Sequence, residues 1–129
     1  MASILKVDTL TGNTTAKTVT VTVGASATQS LEQGLAKAWL FASNAAVLND
    51  SLNVSSGTDH GSGDYSYALT NAFSDANYAN TWTNRGTTAQ IATRNSGRDA
   101  AGTLAIEAFN SSGTNTNNQH SGMAYGDLA

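Results

Sequence analysis

The stretch Ser30-Leu31-Glu32-Gln33-Gly34-Leu35-Ala36-Lys37-Ala38-Trp39-Leu40-Phe41 can be read in two ways, and the choice decides whether the chain is all-β. Leu31, Leu35 and Trp39 fall four apart, as on one face of a helix, and Ser30 with Gln33 resembles a capping box. Gly34 weakens that helix. Against it, Leu35, Lys37, Trp39 and Phe41 alternate with Ala36, Ala38, Leu40 and Ala42, as in a strand buried on much of both faces. A turn at Glu32 to Gly34 followed by a strand is the preferred reading, with the helix as its alternative.

The surrounding composition favours the strand. Charged residues make up 12% of the 129 and hydrophobic ones 40%, so the remainder is carried by Thr, Ser, Asn and Gly rather than by Lys and Glu. Thr suits pleated, half-buried surfaces, and Asn, Ser and Gly supply turns, which predicts many short strands. The length allows one domain with a modest core plus an arm. Six basic residues scattered from Lys6 to Arg98, within a net charge of -3, give no concentrated field for phosphates, so nucleic-acid binding is not expected. Without cysteine there are no disulfides or thiolate metal sites. The opening Met1-Ala2-Ser3-Ile4-Leu5-Lys6 lacks the pattern of a secretion signal, and no apolar run reaches membrane-spanning length, so a soluble chain with no membrane partner is expected.

Residues 1–30 read as an N-terminal attachment arm. Ile4, Leu5, Val7 and Leu10 are its sparse apolar contacts, and Thr18 to Val23 alternate as one strand. The Val19, Val21 and Val23 face of that strand needs a partner, because a lone ribbon buries too little to be stable, so a homo-oligomer is expected. Ala25 to Ser30 reads as a small-residue linker. Residues 31–129 are then one β-domain, with strands expected at Val47 to Ser55, Tyr65 to Thr70, Asn77 to Thr83, Thr88 to Asn95, Thr103 to Asn110 and Ser121 to Asp127. The residues expected inside are Trp39, Leu48, Leu52, Val54, Tyr65, Tyr67, Leu69, Tyr78, Trp82, Ile91, Leu104, Ile106, Met123 and Tyr125. Ser56 to Asp64 reads as a hairpin connection and Asn110 to Gln119 as an exposed loop tip.

Candidate chemistry is sparse. Asp59-His60-Gly61-Ser62-Gly63-Asp64 has the flavour of a calcium loop, but Gly61 and Gly63 stand where an EF-hand loop would place oxygen side chains and Thr70 where it would place a Glu, so no metal or cofactor is expected. His60 and His120 fall in segments read as flexible loops, and no Gly-x-Ser-x-Gly or His-Glu-x-x-His motif is present, so no catalytic residues are assigned. Trp82, flanked by Asn80, Thr81, Thr83, Asn84 and Arg85, has the neighbourhood of a glycan contact, although a Trp that simply plugs the core is the preferred reading.

The chain resembles small fibre and decoration proteins of tailed bacteriophages of aquatic bacteria, cyanophages included. The resemblance rests on Ala2-Ser3-Ile4-Leu5-Lys6-Val7-Asp8-Thr9-Leu10-Thr11-Gly12, on Gln33-Gly34-Leu35-Ala36-Lys37-Ala38-Trp39 and on Asp50-Ser51-Leu52-Asn53-Val54-Ser55-Ser56. It continues through Thr58-Asp59, Gly61 and Gly63, then Ala76-Asn77-Tyr78 and Gly126-Asp127-Leu128-Ala129. It implies an antiparallel β-sandwich, jelly-roll-like or immunoglobulin-like, on an extended N-terminal attachment segment, assembled as a trimer in the virion with other capsid, neck or tail proteins as partners. The chain departs from the family's usual look over Phe41 to Val47 and Arg94 to Gly102. A short capsid-surface fibre or decoration protein is the expected role. A tail-fibre module that recognises a host receptor or surface glycan is the alternative.

Overall fold

The computed structural model describes residues 6–11, 19–23, 27–86 and 90–129, those at 23 and 90 by backbone alone. Within them lie ten β-strands and no helix, and the chain divides into two compact units, Met1–Leu35 and Ala36–Ala129. In the first unit β1 (Thr20–Val23) pairs antiparallel with β2 (Ala27–Ser30), Thr20 opposite Ser30 and Val23 opposite Ala27. The Leu31 amide donates to the Val19 carbonyl at 2.8 Å and continues the ladder. The alternating run is thus a strand over Thr20–Val23, and of the expected linker at Ala25 to Ser30 the described residues Ala27–Ser30 are strand instead. Ala27–Ser30 supplies the backbone partner that an isolated strand lacks. Residues 31–34 form the expected turn, with Ser30 Oγ accepting the Gln33 amide at 3.4 Å. The capping-box look of that pair therefore marks a turn, not a helix start.

The second unit is an antiparallel β-sandwich. One sheet runs β4-β3-β10-β7, where β3 is Ala38–Ala42, β4 Leu48–Leu52, β7 Ala79–Arg85 and β10 Gln119–Tyr125. The other runs β5-β6-β9-β8, where β5 is Val54–Gly61, β6 Asp64–Leu69, β8 Gln90–Arg94 and β9 Thr103–Asn110. The final strand β10 sits between β3 and β7, so the last residues of the chain close a sheet that its earlier strands leave open.

The core is asymmetric. Ala38, Leu40 and Ala42 of β3 and His120 and Ala124 of β10 are buried on one side, facing Tyr65 and Tyr67 of β6 and Leu104 and Ile106 of β9. Gly122 completes the small row: Trp82, its register partner on β7, covers it so closely that a Cβ there would overlap the indole ring. Phe73 and Tyr78, from the connection between β6 and β7, stack with ring centroids 4.5 Å apart. Tyr65, Tyr67, Leu104, Ile106, Tyr78 and Val54 lie inside as expected, and Leu48, Leu69 and Trp82 pack against the cluster from partly buried positions.

Five residues expected inside face outward: Trp39, Leu52, Ile91, Met123 and Tyr125. β3 and β10 have the opposite phase to that expected, because their inner positions hold Ala38, Leu40, Ala42, His120, Gly122 and Ala124, mostly small residues that fit opposite Tyr65 and Tyr67. A strand's side chains alternate strictly, so one wrong assignment moves the whole set to the other face.

Several boundaries also move. The strand expected over Val47 to Ser55 is two strands, broken at Asn53, whose φ of 59° turns the chain from one sheet to the other. Asn tolerates this left-handed region better than most residues. Ser56 to Asp64 is mostly strand β5, with the turn confined to Ser62 and Gly63. Gly63 takes a φ of 71° with Ala108 and Thr116 backbone packed where a Cβ would stand, so glycine is required there. β7 and β10 are offset by two residues from the expected spans, and β3 begins only at Ala38; β8 covers Gln90–Arg94, and the expected start at Thr88 lies outside the described residues. The loop 111–118 is not a free tip: Asn118 is buried and Asn117 bonds to the Tyr65 hydroxyl.

The inward and outward assignments separate two isoleucines cleanly. Ile106→Ala, at a fully buried site, should cost about 2–5 kcal/mol. Ile91→Ala, at a site 60% exposed, should stay within about 0.5 kcal/mol. Urea unfolding midpoints of the two variants check the pair, and equal losses would contradict the strand phase.

Candidate binding surface and the buried histidine

On the outer face of the β4-β3-β10-β7 sheet the register sets two rows side by side. One runs Leu52, Trp39, Met123, Thr81, and the next Asp50, Phe41, Ser121, Thr83. Between them lies an open cleft of about 250 Å³ lined by Trp39, Phe41, Met123, Ser121, Thr81 and Thr83. The Arg85 guanidinium sits 4.6 Å from the Phe41 ring centroid, a cation–π contact that covers that ring. Trp39 is 36% exposed, and among the described residues no ring or cation stacks on it. The Tyr125 hydroxyl donates to Met123 Sδ at 3.2 Å and steadies the neighbouring edge.

The residues singled out in the sequence as a glycan contact are brought together, but they point inward. Asn80, Trp82 and Asn84 alternate on the inner face of β7. The Trp82 ring packs near Tyr67 and His120, each with centroids 6.2 Å away. Trp82 Nε1, Asn80 Nδ2 and both side-chain polar atoms of Asn84 are buried without a hydrogen-bond partner. The exposed aromatic with hydroxyl neighbours is Trp39, which the sequence reading had assigned to the core. The signal that could have found it is the small row Ala38, Ala42 on alternate positions, which fits a crowded interior better than Trp39 does.

His120 is fully buried, not in a flexible loop. Its Nδ1 lies 2.8 Å from the Asn118 carbonyl, which can only accept, so Nδ1 carries the proton. Nε2 then accepts from the Tyr67 hydroxyl, whose acidity burial suppresses. Tyr65 stacks on the imidazole at 4.7 Å. With both nitrogens engaged and no surface access, this ring is structural.

His60, in strand β5, places Nε2 2.8 Å from Ser66 Oγ on the outer face of the other sheet. The spacing is that of a base and a nucleophile, but among the described residues no carboxylate bonds the imidazole to orient it. Two further clusters tie loops to the sandwich. Asp99 accepts from the Arg94 guanidinium, the Tyr78 hydroxyl and the Ala105 amide, and Arg98 pairs with Asp64 at 2.9 Å.

Of the arm residues, Val7 and Leu10 are exposed, while Ile4 and Leu5 lie outside the described residues. Val21 is exposed and Val19 half-buried; the side chain of Val23 lies outside the described residues. A groove of about 240 Å³ in this unit is lined by Val21, Gln29, Ser30, Leu31, Gly34 and Leu35. Among the described residues no group of three His, Cys, Asp or Glu side chains is placed to hold a metal, and no helix is long and apolar enough to cross a membrane.

Burial holds the His120 pKa below its ordinary value of 6.5. Above about pH 6.5 folded and unfolded chains both carry a neutral ring, and stability is complete. As pH falls through 6.5 the unfolded chain takes up a proton that the folded one refuses. Stability should therefore decline by up to about 1.4 kcal/mol per pH unit until the folded pKa is reached. Urea midpoints between about pH 7.5 and pH 5.5 measure the slope, and His120→Gln should flatten it. A slope unchanged by that substitution would assign it to other groups.

Comparison of the chain with protein-family models, with curated proteins and with solved structures finds no match.

Proposed function

We propose that the chain is a non-enzymatic structural protein of a tailed-phage virion, a short capsid-surface fibre or decoration protein held by its N-terminal segment and displaying the sandwich. The observation that carries this reading is the division of labour between the units. The sandwich keeps its whole hydrophobic cluster between Ala38 and Ala124. Among its described residues the N-terminal unit has a two-stranded ribbon and leaves Val7, Leu10, Val21 and Leu35 exposed. Two strands bury too little apolar surface to stand alone, so this unit calls for a partner surface. Other copies of the chain, as a trimer, and neighbouring virion proteins are the partners proposed for it. The order of the opening motif and the later segments that resemble phage fibre and decoration proteins supports the same placement. The outward aromatic face around Trp39 favours a second placement, on a tail fibre as a module that recognises the host surface.

Residues 36–129 expressed alone should give a β-rich circular dichroism spectrum and unfold cooperatively, yet fail to join particles that lack the native protein. The full chain should join them and appear by mass spectrometry and immunogold labelling of purified virions. An unfolded 36–129 fragment, or one that attaches at full occupancy, would refute the division.

Light scattering coupled to size exclusion should report the full chain as a multiple of its 13.2 kDa mass and the 36–129 fragment as a monomer. A monomeric full chain at micromolar concentration would remove the oligomer from the proposal.

A further inference from the structure

We propose that the cleft around Trp39, on the outer face of the β4-β3-β10-β7 sheet, is a binding site for a neutral carbohydrate. The inference goes beyond the virion role and holds wherever on a particle the chain sits. Its first ground is the mixture of chemistry. The lining side chains supply one open indole face, one thioether and three hydroxyls, from Thr81, Thr83 and Ser121, and none of them ionises. A sugar ring has an apolar face of C–H groups and a rim of hydroxyls. The first stacks on an aromatic plane, and the second pairs with groups that both donate and accept.

The charges point the same way. Arg85 is already held over Phe41, and Asp50 stands beside Phe41 on the neighbouring strand. An anionic ligand would meet that carboxylate, while the lining of the cleft supplies no cation. A purely apolar segment would cover Thr81, Thr83 and Ser121 and leave their hydroxyls unpaired, a penalty that a sugar's hydroxyls avoid. The geometry adds selectivity between the two large rings: with Arg85 over Phe41, the platform left to a ligand is Trp39. Its position is set by the sheet, with Leu52 on one side and Met123 on the other in register. A platform on paired strands needs no rearrangement to bind.

The test uses the full chain on an array of immobilised neutral oligosaccharides containing glucose, galactose, mannose and N-acetylglucosamine, with sialylated and sulfated glycans alongside. The expected result is binding to at least one neutral structure. Saturation-transfer NMR with that oligosaccharide should show the signal lost with Trp39→Ala, affinity weakened about tenfold or more. Trp39→Phe should retain part of it, and Thr81→Val with Thr83→Val should weaken it without a change in melting temperature. Trp82→Phe, inside the sandwich, should leave binding intact. No neutral glycan bound, binding confined to acidic glycans, or binding that survives Trp39→Ala would each overturn the proposal. So would a Trp39→Ala variant that dissolves an oligomer, since the face would then be an interface between copies. None of these outcomes depends on whether the chain attaches to a particle.

Discussion

Between the two sheets of the sandwich the volumes are unevenly shared. β3 and β10 present Ala38, Ala42, Gly122 and Ala124 around Leu40 and His120, and the opposite sheet answers with Tyr65, Tyr67, Leu104 and Ile106. Facing sheets stand about 10 Å apart, so large side chains on one side require small ones on the other. The remaining features follow from that constraint. Trp82 can lie across β10 because Gly122 has no side chain, and His120 fits among the tyrosine rings because its neighbours along β10 are small. Since side chains alternate along a strand, giving the inner positions to small residues sends Trp39, Phe41 and Met123 to the outside. The exposed cleft and the crowded core are two sides of the same arrangement.

The tyrosines do a second task at the ends of the strands. Tyr65 and Tyr78 send their hydroxyls to loop groups, and Tyr67 bonds within the core to His120. Tyr65 donates to the Asn44 carbonyl and to Asn117, Tyr67 to His120, and Tyr78 to Asp99 and the Thr103 carbonyl. The turns at 43–46, 95–103 and 111–118 are thereby pinned from within. A chain with no cysteine and no proline lacks the two commonest local stiffeners, and hydrogen bonds from buried rings serve in their place. These bonds satisfy polar atoms that would be costly to leave unpaired.

The class of fold was legible because it depends on composition and spacing. Alternation over Thr20–Val23 and Thr103–Asn110, with glycine and asparagine between the runs, is a local property of the chain. The candidate site was not legible, because it depends on phase. Trp39-Leu40-Phe41 has a large apolar residue at every position, so periodicity alone leaves both faces available, and only the volume facing β6 settles the matter. The same holds for Met123 and Tyr125, which outweigh Gly122 and Ala124 in any hydrophobic count yet lie outside. The break at Asn53 was hidden for a related reason. Leu52 and Val54 continue the alternation of one strand, and only the backbone rotation between them shows that they belong to different sheets.

The bulges on β5 have a consequence for molecules held close together. This strand is an edge of its sheet, and an edge with a straight run of free amides and carbonyls is a template on which a second copy can add. Its register with β6 shifts twice, between Val54 and Ser56 and between Asp59 and Gly61, so Ser55 and His60 interrupt the ladder within eight residues. Each interruption twists the strand and breaks the spacing that an incoming strand would need to match. At high local concentration such an edge is a poor template for edge-to-edge pairing with an identical neighbour.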